Sequence, residues 1–185
     1  MGNTEFKIDI LSLGISQIYL NKRKVDEVNK WLEVSKMDIY PPLPVFDFGD
    51  GRFTLTDGHS RAYVALKKGQ KEILVIEDTD EIVTSETGQL LYRNDLLWCD
   101  RFHLESIADL ENRIITESQY QFLWIQRCDR MYNLVTHNRA DLPILDNLYL
   151  YGMEVDGSAL YYEDIKGSLY KMFDGKIIPE ENTYG

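Results

Sequence analysis

The segment spanning residues 56–69 constrains the fold more than any other stretch of this 185-residue chain. It follows the apolar strand pattern Phe53-Thr54-Leu55, turns at Asp57-Gly58 and continues as a helical pattern that ends at Gly69. A strand that turns at a glycine and enters a helix suits a phosphate group. Free backbone N–H groups and the positive end of the helix dipole both favour an anion there. The sequence therefore predicts an anion site at the start of this helix.

Five consecutive residues supply the predicted chemistry of that site. Gly58 lets the backbone approach a phosphate closely, and Arg61 in the first turn offers a planar fork of donors to phosphate oxygens. Ser60 can add a hydroxyl donor, and His59 can donate to a phosphate oxygen or take a proton near neutral pH. The Asp57 carboxylate can hold Mg²⁺ or orient a nucleophile. The turn thus combines predicted phosphate ligands with a predicted metal ligand.

Each of these side chains also has an ordinary structural interpretation. Asp57 is a residue type that favours helix N-caps and turns, and His59 can be a surface histidine at a helix start. Ser60 can be an ordinary first-turn residue. Arg61 can form a surface ion pair with Asp57 or Glu77. The sequence leaves both interpretations open for each residue.

The first 80 residues predict the order strand, helix, hairpin, helix, strand. Their apolar spacing changes between a period of two and the helical period, with turn residues at each change. These elements are a strand over residues 5–13, a helix from about Lys22, a hairpin over 43–56, the helix after Gly58 and a strand over 71–77.

The rest of the chain predicts a helical region and then a β-rich tail. The helical region, residues 81–145, carries apolar stripes, namely Leu90, Leu91, Leu97, Trp98 and Phe102, and then Tyr120, Leu123, Trp124, Cys128, Met131 and Leu134. The tail, residues 146–185, is rich in tyrosine and punctuated by glycine turns, which is typical of a meander of short strands. The sequence thus predicts an α+β protein of three parts: a core over 1–80, a helical extension over 81–145 and a β meander over 146–185.

Charge and composition limit the partners of the chain. The net charge is −11, and residues 81–185 carry 9 Lys and Arg against 18 Asp and Glu. Such an acidic surface repels nucleic-acid backbones, so no duplex DNA binding is expected. No apolar run is long enough to cross a bilayer, and the first residues lack a signal-peptide pattern. Cys99 and Cys128 are predicted to be reduced thiols on helical stripes, so we expect a cytoplasmic setting without membrane contact.

Residues 8–77 resemble the ParB/sulfiredoxin-like superfamily. Three features carry the resemblance: Ile15-Ser16-Gln17-Ile18 before the first helix, Pro44-Val45 in the hairpin, and the run Thr56-Asp57-Gly58-His59-Ser60-Arg61-Ala62 with Gly69. The turn looks closest to that of the ParB-like free serine kinases, which also reads Asp-Gly-His-x-Arg. Sulfiredoxin is similar but needs a cysteine in the turn, which is absent here. ParB partition proteins resemble the fold but use a basic, arginine-rich version of this segment.

The resemblance implies an α+β core that holds nucleotide phosphates at the glycine turn. It further implies Mg²⁺ with ATP, ADP or CTP as cofactors, Gly58, His59, Ser60 and Arg61 as nucleotide contacts, and Asp57 and His59 as catalytic residues. A small-molecule kinase or a nucleotidase is the activity implied. One departure favours an alternative. The kinases place a glutamate before the first helix, whereas residues 17–24 here contain no acidic residue. The alternative is a non-enzymatic module that binds a protein partner through its tyrosine-rich tail.

Overall fold

The computed structural model describes residues 4–139 and 141–181, and the chain divides into two compact units, Met1–Glu117 and Ser118–Gly185. The chain is α+β: the first unit contains a mixed sheet with helices, and the second contains an antiparallel sheet. The single boundary between Glu117 and Ser118 falls inside the predicted helical extension, residues 81–145. That region therefore contributes helices to both units.

The strands and helices of the described residues follow in chain order. The strands are β1 (Phe6–Asp9), β2 (Leu20–Asn21), β3 (Leu43–Asp47), β4 (Phe53–Leu55), β5 (Glu72–Glu77), β6 (Ile114–Ile115), β7 (Tyr149–Met153), β8 (Ala159–Glu163), β9 (Leu169–Phe173) and β10 (Lys176–Pro179). The helices are α1 (Lys22–Trp31), α2 (His59–Lys67), α3 (Glu81–Thr84), α4 (Glu86–Arg101), α5 (Glu117–Tyr120) and α6 (Gln126–His137). Short 3₁₀ turns cover Ile10–Ser12, Val34–Ile39 and Ile107–Arg113, and a π-turn covers Gln121–Ile125.

The first unit has the order of elements that the ParB/sulfiredoxin-like resemblance implied. Strand, helix, hairpin, helix and strand are present as β1, α1, the β3–β4 hairpin, α2 and β5. The sheet order is β1-β5-β3-β4, with β3 and β5 parallel and the other two pairs antiparallel. Val45, Leu55 and Val75 are fully buried on one face of this sheet. The predicted hairpin, helix and strand over residues 43–77 are therefore confirmed.

The apolar face of α4 differs from the predicted one. Leu90 and Leu97 were expected to point inward, but each is 44% exposed. The buried positions are Gly88, Asp95, Trp98 and Cys99, so Trp98 is inward as predicted and the rest of the buried face is shifted from the predicted stripe. The close approach of α3 explains this choice, because a Cβ on Gly88 would lie 2.0 Å from the Ile82 carbonyl oxygen. Only glycine permits that approach, so it fixes which face of α4 is inward.

The second unit contains the predicted meander. Strands β7, β8, β9 and β10 pair in sequence order, each antiparallel to the next. Helix α6 packs closely on β7, where a Cβ on Gly152 would lie 2.5 Å from the Cβ of Arg130. Met153, Leu160 and Tyr162 form the buried cluster of this unit. The predicted helical stripe over residues 120–134 is confirmed in part, because Tyr120, Trp124 and Met131 are buried but Leu123, Cys128 and Leu134 are only half-buried. The π-turn interrupts this stripe.

Among the helices of residues 4–139 and 141–181, none combines the length and the apolar character that a bilayer crossing requires.

Candidate functional site

Thr56, at the end of β4, is held from three directions. Its backbone N–H donates to the Pro44 carbonyl at 3.1 Å, which continues the hairpin for one more residue. Its hydroxyl donates to the Asp78 carboxylate at 2.5 Å, just beyond β5. Its carbonyl accepts a bond from the Tyr92 hydroxyl of α4 at 3.3 Å. The residue before the predicted phosphate turn is therefore fixed to β3, to the end of β5 and to α4.

Gly58 has the left-handed conformation that the predicted turn requires. Its φ is 78° and its ψ is 18°, a region that residues with a Cβ rarely adopt. An added Cβ would also lie 2.4 Å from Cδ2 of the buried Leu43. Glycine is therefore required here for two independent reasons, one conformational and one steric.

The start of α2 has no side-chain cap. Gly58 occupies the N-cap position, and its carbonyl accepts the first helical bond, from the Ala62 N–H at 3.0 Å. The N–H groups of His59, Ser60 and Arg61 consequently have no acceptor within the helix. They carry the positive end of the helix dipole. This is the backbone arrangement that the sequence predicted for a phosphate.

The Asp57 carboxylate lies at the surface beside this helix start. Its Oδ1 accepts a bond from the Gly58 N–H at 2.7 Å, so it contacts the turn and not the first helical N–H groups. Asp57 is exposed, so its carboxylate is accessible from solvent. No group of three or more His, Cys, Asp or Glu side chains suitable for a metal exists among the residues described. Mg²⁺ therefore fits this turn only with phosphate oxygens and waters as its other ligands, which is its usual mode at nucleotides.

Arg61 lies in the first turn of α2 with its guanidinium half-buried. Its Nη1 donates to the Pro41 carbonyl at 2.7 Å, and its stem lines a narrow crevice with Tyr40 and Leu43. Burial lowers the pKa of the guanidinium from its usual value, and the nearby Asp57 carboxylate opposes that shift. The Pro41 bond uses one of five N–H donors, so the fork is oriented but not saturated by it.

His59 is buried, so it is not an ordinary surface histidine at a helix start, which was one of the two interpretations left open by the sequence. Its side chain is in the core at 3% exposure, and its Nε2 accepts a bond from the Ser16 N–H at 3.0 Å. Burial lowers the imidazole pKa to about 4, while the Asp57 carboxylate acts in the opposite direction. The ring is therefore neutral near neutral pH. The ring therefore supplies no charge at the helix start near neutral pH.

Sequence reasoning missed the contacts that support this turn from a distance. The bond between Ser16 and His59 joins residues 43 positions apart, and the bond between Thr56 and Asp78 joins residues 22 positions apart. Hydroxyl, carboxylate and imidazole side chains are common in loops and have no local pattern that identifies a distant partner. The one available signal was the stretch Ile15-Ser16-Gln17, which carried part of the family resemblance without a stated role.

Comparison with known proteins finds no matching family model and no matching curated protein. The solved structures that match part of the chain include the following two. Protein Atu1540 from Agrobacterium tumefaciens is 21% identical over 58% of this chain and 61% of that chain, with a TM-score of 0.39. A Pnob8-like ParB-N domain is 16% identical over 77% of this chain and 76% of that chain, with a TM-score of 0.32. This chain thus spans about 61% of the length of Atu1540.

Proposed function

We propose that this protein binds a nucleotide or another phosphorylated small molecule at the start of α2. The observation that supports this is the uncapped helix start: Gly58 is left-handed, no side chain caps the helix, and the N–H groups of His59, Ser60 and Arg61 lack helical acceptors. A terminal phosphate placed on these groups gains charge-assisted hydrogen bonds and a favourable dipole interaction. The Ser60 hydroxyl, half-buried in the first turn, adds a fourth donor.

Arg61 supplies the positive charge of the proposed site. Its Pro41 bond holds the guanidinium beside the helix start, which lowers the entropy that is lost when the side chain engages a ligand. The remaining donors of the fork can bond two phosphate oxygens at once. A hydrogen bond to a charged group contributes about 1.5–3 kcal/mol, so this side chain should have a large effect on affinity.

Asp57 makes the proposed binding dependent on Mg²⁺. Its carboxylate stands next to the phosphate position and would repel an unaccompanied anion, whereas a bound Mg²⁺ would join carboxylate and phosphate oxygens. With Mg²⁺ in place, the same arrangement suits phosphoryl transfer or nucleotide hydrolysis, in which an acceptor hydroxyl or water displaces the nucleotide oxygen from the terminal phosphorus. In this proposal His59 takes part through its backbone N–H, because its Nε2 already accepts the Ser16 bond.

Calorimetry with ATP, ADP, CTP and GTP, each with and without Mg²⁺, tests the proposal. We expect at least one nucleotide to bind more tightly with Mg²⁺ than without it. Arg61→Ala should weaken that ligand by about 1.5–3 kcal/mol. Asp57→Asn should remove the dependence on Mg²⁺. Arg93→Ala is a matched control, because Arg93 is an exposed arginine of α4 that bonds only weakly to Gln89, at 3.3 Å.

The proposal fails if no nucleotide binds more tightly than millimolar and Arg61→Ala changes nothing. In that case the alternative, a non-enzymatic interaction module, should replace it. The observation that favours the alternative is an exposed apolar group on the last hairpin of the second unit, where Phe173, Ile177 and Ile178 are each 44–53% exposed. Among the tail tyrosines, Tyr161 and Tyr162 are almost fully buried and are poorer candidates for such contacts, whereas Tyr149 is 37% exposed.

A further inference from the structure

Residues 14–16 are hydrogen-bonded along the outer edge of β4. The Gly14 N–H donates to the Phe53 carbonyl at 2.9 Å, and the Leu55 N–H donates to the Gly14 carbonyl at 3.0 Å. The Ser16 hydroxyl then donates to the Leu55 carbonyl at 2.7 Å. This segment therefore behaves as a short extra strand that follows β4 toward the phosphate turn.

The same segment reaches the first residue of α2. The Ser16 N–H points at Nε2 of His59 at 3.0 Å, and both residues are buried, at 4% and 3% exposure. Because a backbone N–H can only donate, Nε2 must be the acceptor, and the proton of the neutral imidazole must lie on Nδ1. A buried backbone N–H that lost this acceptor would be left without compensation for its lost hydration. The imidazole thus satisfies Ser16 and ties the helix start to the β4 edge.

We propose that His59 is a positioning residue, whose Nε2 bond to Ser16 holds the first turn of α2 in the orientation that binds phosphate. This inference rests on the proposed phosphate site. Gly58 leaves the helix start without a side-chain cap, so the cap does not fix the direction of the first N–H groups. The bond from Ser16 supplies an anchor on the other side of the turn. Donors whose geometry is fixed before the ligand arrives lose less entropy on binding. The anchor at Ser16 would provide this fixed geometry for the first turn of α2.

Two substitutions separate this role from a general need for a polar side chain. Glutamine places its amide oxygen near the position of Nε2, so His59→Gln keeps an acceptor for the Ser16 N–H. Asparagine is shorter and places its amide near the position of Nδ1, so His59→Asn is polar but cannot reach Ser16. The exposed His137 in the second unit provides the matched controls His137→Gln and His137→Asn.

The experiment combines binding and nuclear magnetic resonance. Calorimetry with Mg-ATP and with inorganic phosphate measures the affinity of each variant. His59→Gln should bind within about threefold of the natural protein, whereas His59→Asn should bind about tenfold more weakly or worse. Tenfold corresponds to about 1.4 kcal/mol, which is the scale of one lost hydrogen bond. Each variant is compared at a temperature where circular dichroism shows it to be folded. Nitrogen chemical shifts of the natural protein should show the His59 proton on Nδ1, and the Ser16 amide should exchange faster with solvent in His59→Asn.

The outcomes distinguish the two hypotheses. Equal binding by the natural protein and His59→Asn overturns the positioning role and leaves the phosphate site intact. Binding by His59→Gln that is as weak as that of His59→Asn also overturns it, because the acceptor is then not what matters. A proton on Nε2 overturns it without any variant, which keeps the inference testable if both variants unfold. Absence of binding by the natural protein overturns the phosphate site and the positioning role together.

Discussion

Replacement of Gly58 by alanine tests the geometry of the phosphate turn most directly. The left-handed conformation at φ 78° costs a residue with a Cβ about 1–2 kcal/mol. The new Cβ would lie 2.4 Å from Cδ2 of Leu43, which is 1% exposed, and overpacking of a core typically costs about 1–3 kcal/mol. Alanine also restricts the unfolded chain, which returns about 0.4–1 kcal/mol. These ranges combine to a net loss in free energy of unfolding of about 1–5 kcal/mol, centred on ~3 kcal/mol.

Gly51 offers a control for the conformational part of this cost. Its φ of 77° matches that of Gly58, but nothing lies within 4 Å of a Cβ built there. Gly51→Ala should therefore cost about 1 kcal/mol, from the left-handed conformation alone. The difference between the two variants reports the contact with Leu43. Leu43→Val removes both Cδ atoms, so Gly58→Ala should cost about as much in that background as Gly51→Ala does in the natural protein.

Urea unfolding followed by circular dichroism, with linear extrapolation to water, measures these differences. The steric part of the reasoning is wrong if Gly58→Ala is no more destabilising than Gly51→Ala, or if Leu43→Val does not relieve it. The conformational part is wrong if both alanine variants are as stable as the natural protein. Nucleotide calorimetry on the same samples then shows whether the strained turn still binds, because a displaced helix start should lose affinity even while the first unit stays folded.

Three further predictions follow from charge and burial. Burial lowers the His59 pKa to about 4 from 6.5, so as the pH falls the unfolded chain takes up a proton on this imidazole before the folded chain does. The free energy of unfolding should therefore drop by roughly 3 kcal/mol between pH 6.5 and 4. Urea unfolding across this pH range measures the drop, and the His59 contribution should be missing in His59→Gln. Arg127→Met leaves Glu163 buried without its ion-pair partner and should lower the free energy of unfolding by about 3–5 kcal/mol. The double variant Arg127→Met with Glu163→Leu should lose much less stability, and equal losses in the two variants would contradict this reasoning. Fluorescence anisotropy at physiological salt should find no tight binding of duplex DNA, because the net charge of −11 repels it, and saturable binding there would contradict the charge argument.

The parts of the fold that could be predicted are those with local causes. The Phe53-Thr54-Leu55 strand, the Asp57-Gly58 turn and the Gly69 stop each follow from the backbone preferences of a few neighbouring residues. Helix α2 accordingly spans His59–Lys67, and Gly58 forms the predicted turn in a left-handed conformation. The tail meander was predictable for the same reason, since a turn such as Asp174-Gly175, with both φ values positive, specifies a tight hairpin without help from the rest of the chain.

The parts that could not be predicted depend on partners distant in sequence. Apolar spacing assigned the inward face of α4 to a stripe that correctly included Trp98 but also included Leu90 and Leu97, which are exposed because α3 approaches the helix at Gly88. Burial of His59 depends on Ser16, 43 residues earlier, and nothing near either residue indicates the pairing. The tail tyrosines were interpreted together as a contact surface, but the structure divides them: Tyr161 and Tyr162 fill the interior of the second unit, whereas Tyr149 is 37% exposed. In each case the sequence indicates which residues matter but not which distant part of the chain packs against them.

The buried imidazole changes which atoms of the Asp-Gly-His-Ser-Arg turn can recognise a ligand. A histidine at the surface would bind phosphate by its own charge, and binding would then strengthen as the pH falls through neutrality. With Nε2 of His59 committed to Ser16 and its pKa at about 4, the ring contributes no charge near neutral pH. Phosphate recognition would then depend on three backbone N–H groups, the Ser60 hydroxyl and the Arg61 guanidinium, none of which titrates near neutral pH. Nucleotide affinity should therefore be nearly constant from pH 6 to 8, apart from changes caused by ionisation of the phosphate itself. Comparison of ATP with a permanently charged phosphodiester would separate the ionisation of the ligand from that of the protein. A steep rise toward pH 6 for both ligands would show that an imidazole contacts the phosphate and that the backbone assignment is wrong.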